Sequence, residues 1–154
     1  MNCYLRGSMG LSLSVGLGLA QAQPRRKVLV IAGDGSLLMN LGALATVAAA
    51  APRNLVCVVM DNGHYQLTGG QATATGARTD LAAVARGAGI ERSRTVADEE
   101  TLHETVAQAL ATDGPALIVA KIDGEGASAR PGKDPVALKY RFMAALDTVP
   151  PKML

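Results

Sequence analysis

The sequence predicts an α/β fold, a parallel sheet with helices on both faces, from three observations. An apolar run, Val28 to Ala32, feeds into Gly33-Asp34-Gly35 and then into an apolar helical pattern from Leu37 to Ala51. A second apolar run, Leu55 to Met60, ends in Asp61-Asn62-Gly63. A third, Ala116 to Lys121, opens after Gly114-Pro115 and follows another helical stretch. Strand, turn, helix and strand in that order form a βαβ crossover whose two strands lie side by side and parallel. Both polar turns then fall at the carboxyl edge of the sheet.

Composition fits that architecture. With 154 residues the chain reads as a single domain, residues 1–154. It is 49% apolar with only 3% aromatic residues, which suits closely packed helices on a sheet. A formal charge of +2, with no basic cluster larger than Arg25-Arg26-Lys27, argues against a nucleic-acid partner. The two cysteines, Cys3 and Cys57, have no metal-binding spacing, and Cys57 falls mid-strand, where burial makes a thiol inert. Nothing calls for an oxidising compartment, so the chain reads as cytoplasmic, with no membrane partner.

The N-terminal segment has two readings. Arg6, the uncharged run Met9 to Ala20 and Ala20-Gln21-Ala22 together imitate a secretory signal. Gly10, Ser12, Ser14, Gly16 and Gly18 interrupt that run, however, and give a small-residue face suited to close packing. Residues 2–7 therefore read as an incoming loop or short strand and 11–22 as a helix. Pro24-Arg25-Arg26 turns the chain into the strand from Lys27 to Ala32, which is apolar throughout, as a strand buried on both faces should be. A helix begins near Ser36, whose hydroxyl can cap it or reach a phosphate oxygen, and ends before Pro52.

After the strand at 55–60 comes Thr68-Gly69-Gly70-Gln71, with Thr73 and Thr75 close behind, read as a flexible, hydroxyl-rich loop at the site's edge. Thr79-Asp80 caps a helix through Ala88, with Gly89 at its carboxyl end. A short strand at 93–96 leads to Asp98-Glu99-Glu100, acids that favour the start of a helix running to Ala111, on which His103 and Glu104 read as solvated. A Gly/Ser-rich link at 124–131 and a helix at 135–146 complete the chain.

The two polar turns carry the chemistry. Ligands of open parallel sheets settle outside the carboxyl ends of the strands, where helix N-termini offer N–H groups to an anion. Asp34 and Asn62, at neighbouring strand ends, would present a carboxylate and an amide oxygen. Hard oxygen ligands of this kind suit Mg²⁺, which is held by one or two carboxylates together with substrate phosphates. The site asks for a metal diphosphate.

Gly33-Asp34-Gly35 followed by the Asp61-Asn62 turn resembles the diphosphate-binding motif of thiamine diphosphate enzymes. Together with Gly7-Ser8-Met9-Gly10-Leu11, Gly33 to Gly42, Asp61-Asn62-Gly63-His64-Tyr65 and Thr68 to Gln71, it is similar to the sulfopyruvate decarboxylase β subunit and the related phosphonopyruvate decarboxylases. The resemblance covers most of residues 2–146. It implies thiamine diphosphate and Mg²⁺ as cofactors, with Asp34, Asn62 and the main-chain carbonyl of His64 as metal ligands. Gly7, Ser8, Met9, Gly33, Asp34, Gly35, Ser36, Asn62, His64, Tyr65 and Gln66 would bind the cofactor. Met9 would be the apolar wedge that bends it, and the Gly7 carbonyl would accept a hydrogen bond from its aminopyrimidine. On this reading residues 1–26 are the wedge segment and first helix, 27–63 the diphosphate and metal motif, and 124–154 the link and final helix.

The implied activity is loss of CO₂ from a small anionic 2-oxo acid bearing a sulfonate or phosphonate. The activating Glu of such enzymes belongs to a pyrimidine-binding domain, for which 154 residues leave no room. The resemblance therefore implies an α subunit partner carrying that Glu, no confident catalytic residue on this chain, and a dimer or higher oligomer. β subunits of this type also carry a strand and helix ahead of the segment at residue 2, so a trimmed chain is an open expectation. Competing readings are a carboligating synthase of the acetolactate type, a non-catalytic cofactor-binding or assembly module, and a secreted binding protein.

Overall fold

The computed structural model describes residues 2–124 and 134–148. The chain divides into two compact units, Met9–Gly124 and a smaller one made of Met1–Ser8 with Glu125–Leu154. In the larger unit, strands β1 (Val28–Gly33), β2 (Leu55–Asp61), β5 (Arg92–Val96) and β6 (Ala116–Lys121) form a wholly parallel sheet in the order β1-β2-β6-β5. Gly33 pairs with Met60 and Asp61 with Lys121, so three strands finish at one level. A small antiparallel hairpin, β3 (His64–Tyr65) with β4 (Gln71–Ala72), follows β2 at that carboxyl edge.

Helices cover both faces, as expected. Helices α1 (Ser12–Ala22), α3 (Gly42–Ala50) and α4 (Leu81–Gly87) pack on one face. Leu13, Leu17, Leu44, Val47, Leu81 and Ala85 there meet Val30, Leu55, Cys57, Val59 and Val119. Helix α5 (Glu99–Ala111) covers the other face, where Ala109 with Leu102, Val106 and Leu110 meets Val56, Val58, Val96 and Ile118. Asp80 and Asp98 cap α4 and α5 by accepting from the amides of Ala83 and Thr101. The amide bond from Thr101 leads the causes that hold the Asp98 carboxyl below its ordinary range. No helix among the described residues is long and apolar enough to cross a membrane.

Two expectations need correction. Strand β1 is not buried on both faces: its residues alternate, and Leu29 and Ile31 are 44% and 65% exposed. It is the edge strand, and α5 lies over its neighbours. The single helix expected from Ser36 to Ala51 is two, α2 (Asp34–Leu38) and α3, separated by a turn at residues 39–41. The Asn40 side-chain amide donates to the Gly10 carbonyl at 3.0 Å, while the Asn40 main-chain amide donates to Leu37 O, which ends the α-helical ladder. Residues 2–7 take the loop form of their two expected readings.

In the smaller unit, α6 (Pro135–Ala144) is capped by Asp134, which accepts from the amides of Val136 and Ala137, with Pro135 at the first turn. The Arg141 guanidinium lies 5.6 Å from the centre of the Tyr4 ring. The link expected at 124–131 falls, beyond Gly124, outside the described residues.

Candidate functional site

Asp34 is the first residue of α2 and, although only 2% exposed, it lies at the end of a strand rather than in the apolar core. Both of its hydrogen-bonding neighbours reach the same oxygen: Thr73 donates to Oδ2 at 2.6 Å, and the Thr75 hydroxyl is 2.9 Å from that atom. Among the described residues no hydrogen bond reaches Oδ1 of Asp34. Thr75 also lies 2.7 Å from Oδ1 of Asp61, which accepts from the Gly63 amide at 3.1 Å. The Lys121 ammonium pairs with the other oxygen of Asp61 at 2.6 Å. A buried chain thus runs from Asp34 through two hydroxyls to a buried, paired Asp61.

A second set of contacts fastens the N-terminal end of α1 to the motif. Gly10, at φ +86°, turns the chain in a conformation that disfavours side chains. Its amide donates to Ser36 Oγ at 3.0 Å and its carbonyl accepts from Asn40. Ser36 therefore does not cap α2, contrary to one of its two expected roles, and α2 has no side-chain cap. Gly35 lies directly beneath Tyr65, where a Cβ would stand 2.5 Å from the ring. Beside them, Asn62 Oδ1 accepts from the His64 amide at 3.0 Å and its Nδ2 donates to Gln66 Oε1 at 3.3 Å. Gln66 also donates to the Gly124 carbonyl, and His64 Nδ1 lies 2.8 Å from the Asn62 carbonyl.

Of the residues singled out from the sequence, Gly33, Asp34, Gly35 and Ser36 thus fall at the end of β1, and Asn62, His64, Tyr65 and Gln66 at the end of β2. Met9, half-buried, precedes the fastened Gly10. Gly7 and Ser8 belong to the smaller unit, where the Ser8 hydroxyl donates to Arg6 O. The hydroxyl-rich loop is corrected: it closes into the β3–β4 hairpin, and Thr73 and Thr75 are buried. Sequence reasoning assigned no part to Asn40, Asp61 or Lys121. An acid at the end of an apolar strand and a lysine ending its neighbour were the available signals, but only the register makes them partners. Beyond Thr75 lies a cavity of about 310 Å³ whose lining includes Asp61, Arg78, Asp80 and Lys121.

The donor set fits a cation carried by a diphosphate. Among the described residues no three His, Cys, Asp or Glu side chains converge on a metal position. At the adjacent ends of β1 and β2 stand the Asp34 carboxylate, with no hydrogen bond to Oδ1, and the Asn62 amide oxygen with a spare lone pair, the kind of sparse oxygen set that Mg²⁺ completes with phosphates and water.

The fold, with its polar turns at the carboxyl ends of β1 and β2, is that of a thiamine diphosphate-binding domain. Residues 1–120 match the model of the thiamine pyrophosphate enzyme C-terminal TPP binding domain, and the chain belongs to that family. It is 43% identical to the sulfopyruvate decarboxylase subunit beta of Methanocaldococcus jannaschii, covering 94% of this chain and 77% of that one. It is 45% identical to a phosphonopyruvate decarboxylase of Streptomyces viridochromogenes, over 96% of this chain but only 37% of the relative. The solved benzoylformate decarboxylase of Polynucleobacter necessarius shares the fold, with a TM-score of 0.70 at 22% identity over 80% of this chain and 25% of that one.

Proposed function

We propose that the chain is the β subunit of a thiamine diphosphate-dependent decarboxylase acting on a 2-oxo acid of the sulfopyruvate or phosphonopyruvate type. One observation carries the reading: at the carboxyl end of β1, Asp34 has Oδ2 engaged and Oδ1 open, with Asn62 at the adjacent strand end. Asp34, the Asn62 amide oxygen and the His64 carbonyl would hold Mg²⁺, and the backbone at Gly33 to Ser36 would receive the diphosphate. Tyr65 over Gly35 walls the motif, and Met9 supports the bend between the cofactor rings. Bound thiamine diphosphate supplies the electron sink that lets the 2-oxo acid lose CO₂ and leave as an aldehyde. Arg78, which forms no ion pair among the described residues, lines the cavity beyond Thr75 and offers positive charge to the substrate's far anion.

The activating Glu comes from an α subunit carrying the pyrimidine-binding domain, so the active site spans a hetero-oligomer interface. The relatives named as beta subunits support that division of labour. Free thiols at Cys3 and Cys57 suit a reducing cytoplasm.

Titration calorimetry of thiamine diphosphate with Mg²⁺ into the chain, alone and with the α subunit, tests the proposal. Binding that appears or tightens with the partner, with CO₂ released from sulfopyruvate or phosphonopyruvate, is the expected result. Asp34→Ala should abolish Mg²⁺-dependent binding while the circular dichroism of the sheet persists. Undiminished affinity in that variant would overturn the site.

A further inference from the structure

Four oxygen–oxygen contacts link Asp34, Thr73, Thr75 and Asp61. Thr73 stands 2.6 Å from Asp34 and 2.8 Å from Thr75, and Thr75 stands 2.9 Å from Asp34 and 2.7 Å from Asp61. Only two hydroxyl hydrogens serve them, because each threonine donates once. Thr75 is therefore shared: it can donate to Asp34 or to Asp61 but not to both. Asp61 is already supplied by the Lys121 ammonium and the Gly63 amide. Asp34, with no cation of its own among the described ion pairs, is the needier acceptor.

We propose that Thr75 is a positioning residue for cation binding at Asp34. Because Lys121 and the Gly63 amide already supply Asp61, the Thr75 hydrogen is left to Asp34, where it helps saturate Oδ2 and so presents Oδ1 to the metal. Partners that orient a ligating carboxylate in this way change metal affinity by about 10- to 100-fold when removed. The inference rests on the reading of Asp34 as the metal ligand.

The test measures Mn²⁺ binding to the full chain with the α subunit and saturating thiamine diphosphate, by the electron paramagnetic resonance signal of free Mn²⁺. Asp34→Ala decides the underlying reading: wild-type affinity in it would overturn that reading. With Asp34→Ala inactive in binding, Thr75→Val should weaken Mn²⁺ by about 10- to 100-fold, and Thr75→Ser, which keeps the hydroxyl and loses only a methyl, should restore most of it. A purely structural role would leave the serine variant as impaired as the valine one, or leave affinity unmoved while lowering the melting temperature of the metal-free protein. Either result overturns the proposal. Should Thr75→Val fail to fold, Lys121→Met decides, because it alters a half-exposed side chain: weakened Mn²⁺ binding supports the proposal, and unchanged binding overturns it.

Discussion

A methyl group at Gly35 would have to enter the space held by the Tyr65 ring. Tyr65 lies on a short hairpin rather than in the sheet, so the ring, not the sheet, should yield. Gly35→Ala is thus expected to keep the far-ultraviolet spectrum and weaken thiamine diphosphate by about tenfold or more, roughly 1.4 kcal/mol, measurable by calorimetry. Cys57 gives an independent check on the core. Burial pushes its thiol up to about 12, whereas Cys3 is exposed. At pH 8 iodoacetamide should modify Cys3 alone in the folded chain and both thiols after unfolding, read by mass spectrometry. The glycines and Asp34 were legible because a tight turn between strand and helix restricts residue type. Thr73 and Thr75 were not, since a hydroxyl in a polar loop reads alike whether it meets water or a buried carboxylate.

At the scale of elements, the chain is tied at its amino edge by side chains distant in sequence. The Asn54 amide group, in a residue 7% exposed, donates to the carbonyls of Ala20, Gln23 and Arg26 and so closes the end of α1 and the turn into β1. Asn54→Ala removes these side-chain bonds, leaving Gln23 O only the Arg26 amide, and should cost about 1–3 kcal/mol in chemical denaturation. Nearby, Asp113 receives Arg53 and Lys27, and the Arg53 hydrogen bond leads the causes that hold its carboxyl below the ordinary 3.8. A depressed carboxyl stabilises the fold at pH above its unfolded value and loses that contribution as pH falls through its folded one. Asp113→Asn should therefore flatten the acid side of the stability curve below about pH 4 and leave its slope near neutrality unchanged. Strand and helix order was legible because apolar period and length separate the two states over most of the chain. The break between α2 and α3 was hidden, because it depends on Asn40 meeting Gly10 across thirty positions of sequence, and local period carries no such information.

For the molecule as a whole, the unexpected feature is the outer face of β1. Leu29, Ile31, Val58 and Met60 with Leu102, Val106, Ala107 and Leu110 of α5 line an apolar groove of about 430 Å³. A sequence cannot distinguish an apolar strand covered on both sides from one covered on one side, because the residue pattern is the same and only the neighbouring element differs. Left in water, the exposed part of Ile31 and Leu29 costs about 25 cal/mol for each Å² of apolar surface, a standing drive toward association. The isolated chain should therefore bind the dye anilinonaphthalene sulfonate and sediment as a concentration-dependent mixture. Leu29→Lys with Ile31→Lys should reduce both without disturbing the opposite core, since neither side chain belongs to the buried cluster of Leu44, Val47 and Val59. The near-neutral formal charge of +2 strengthens the expectation, because it supplies little repulsion between copies, and the double variant raises the charge as it removes the apolar patch. Two single variants separate these effects: Ile31→Ser should lower dye binding as the lysine does, whereas a lysine at exposed Thr46, away from the groove, should leave it unchanged. Equal dye binding by the wild type and the Leu29, Ile31 double variant would show that the groove is closed in solution.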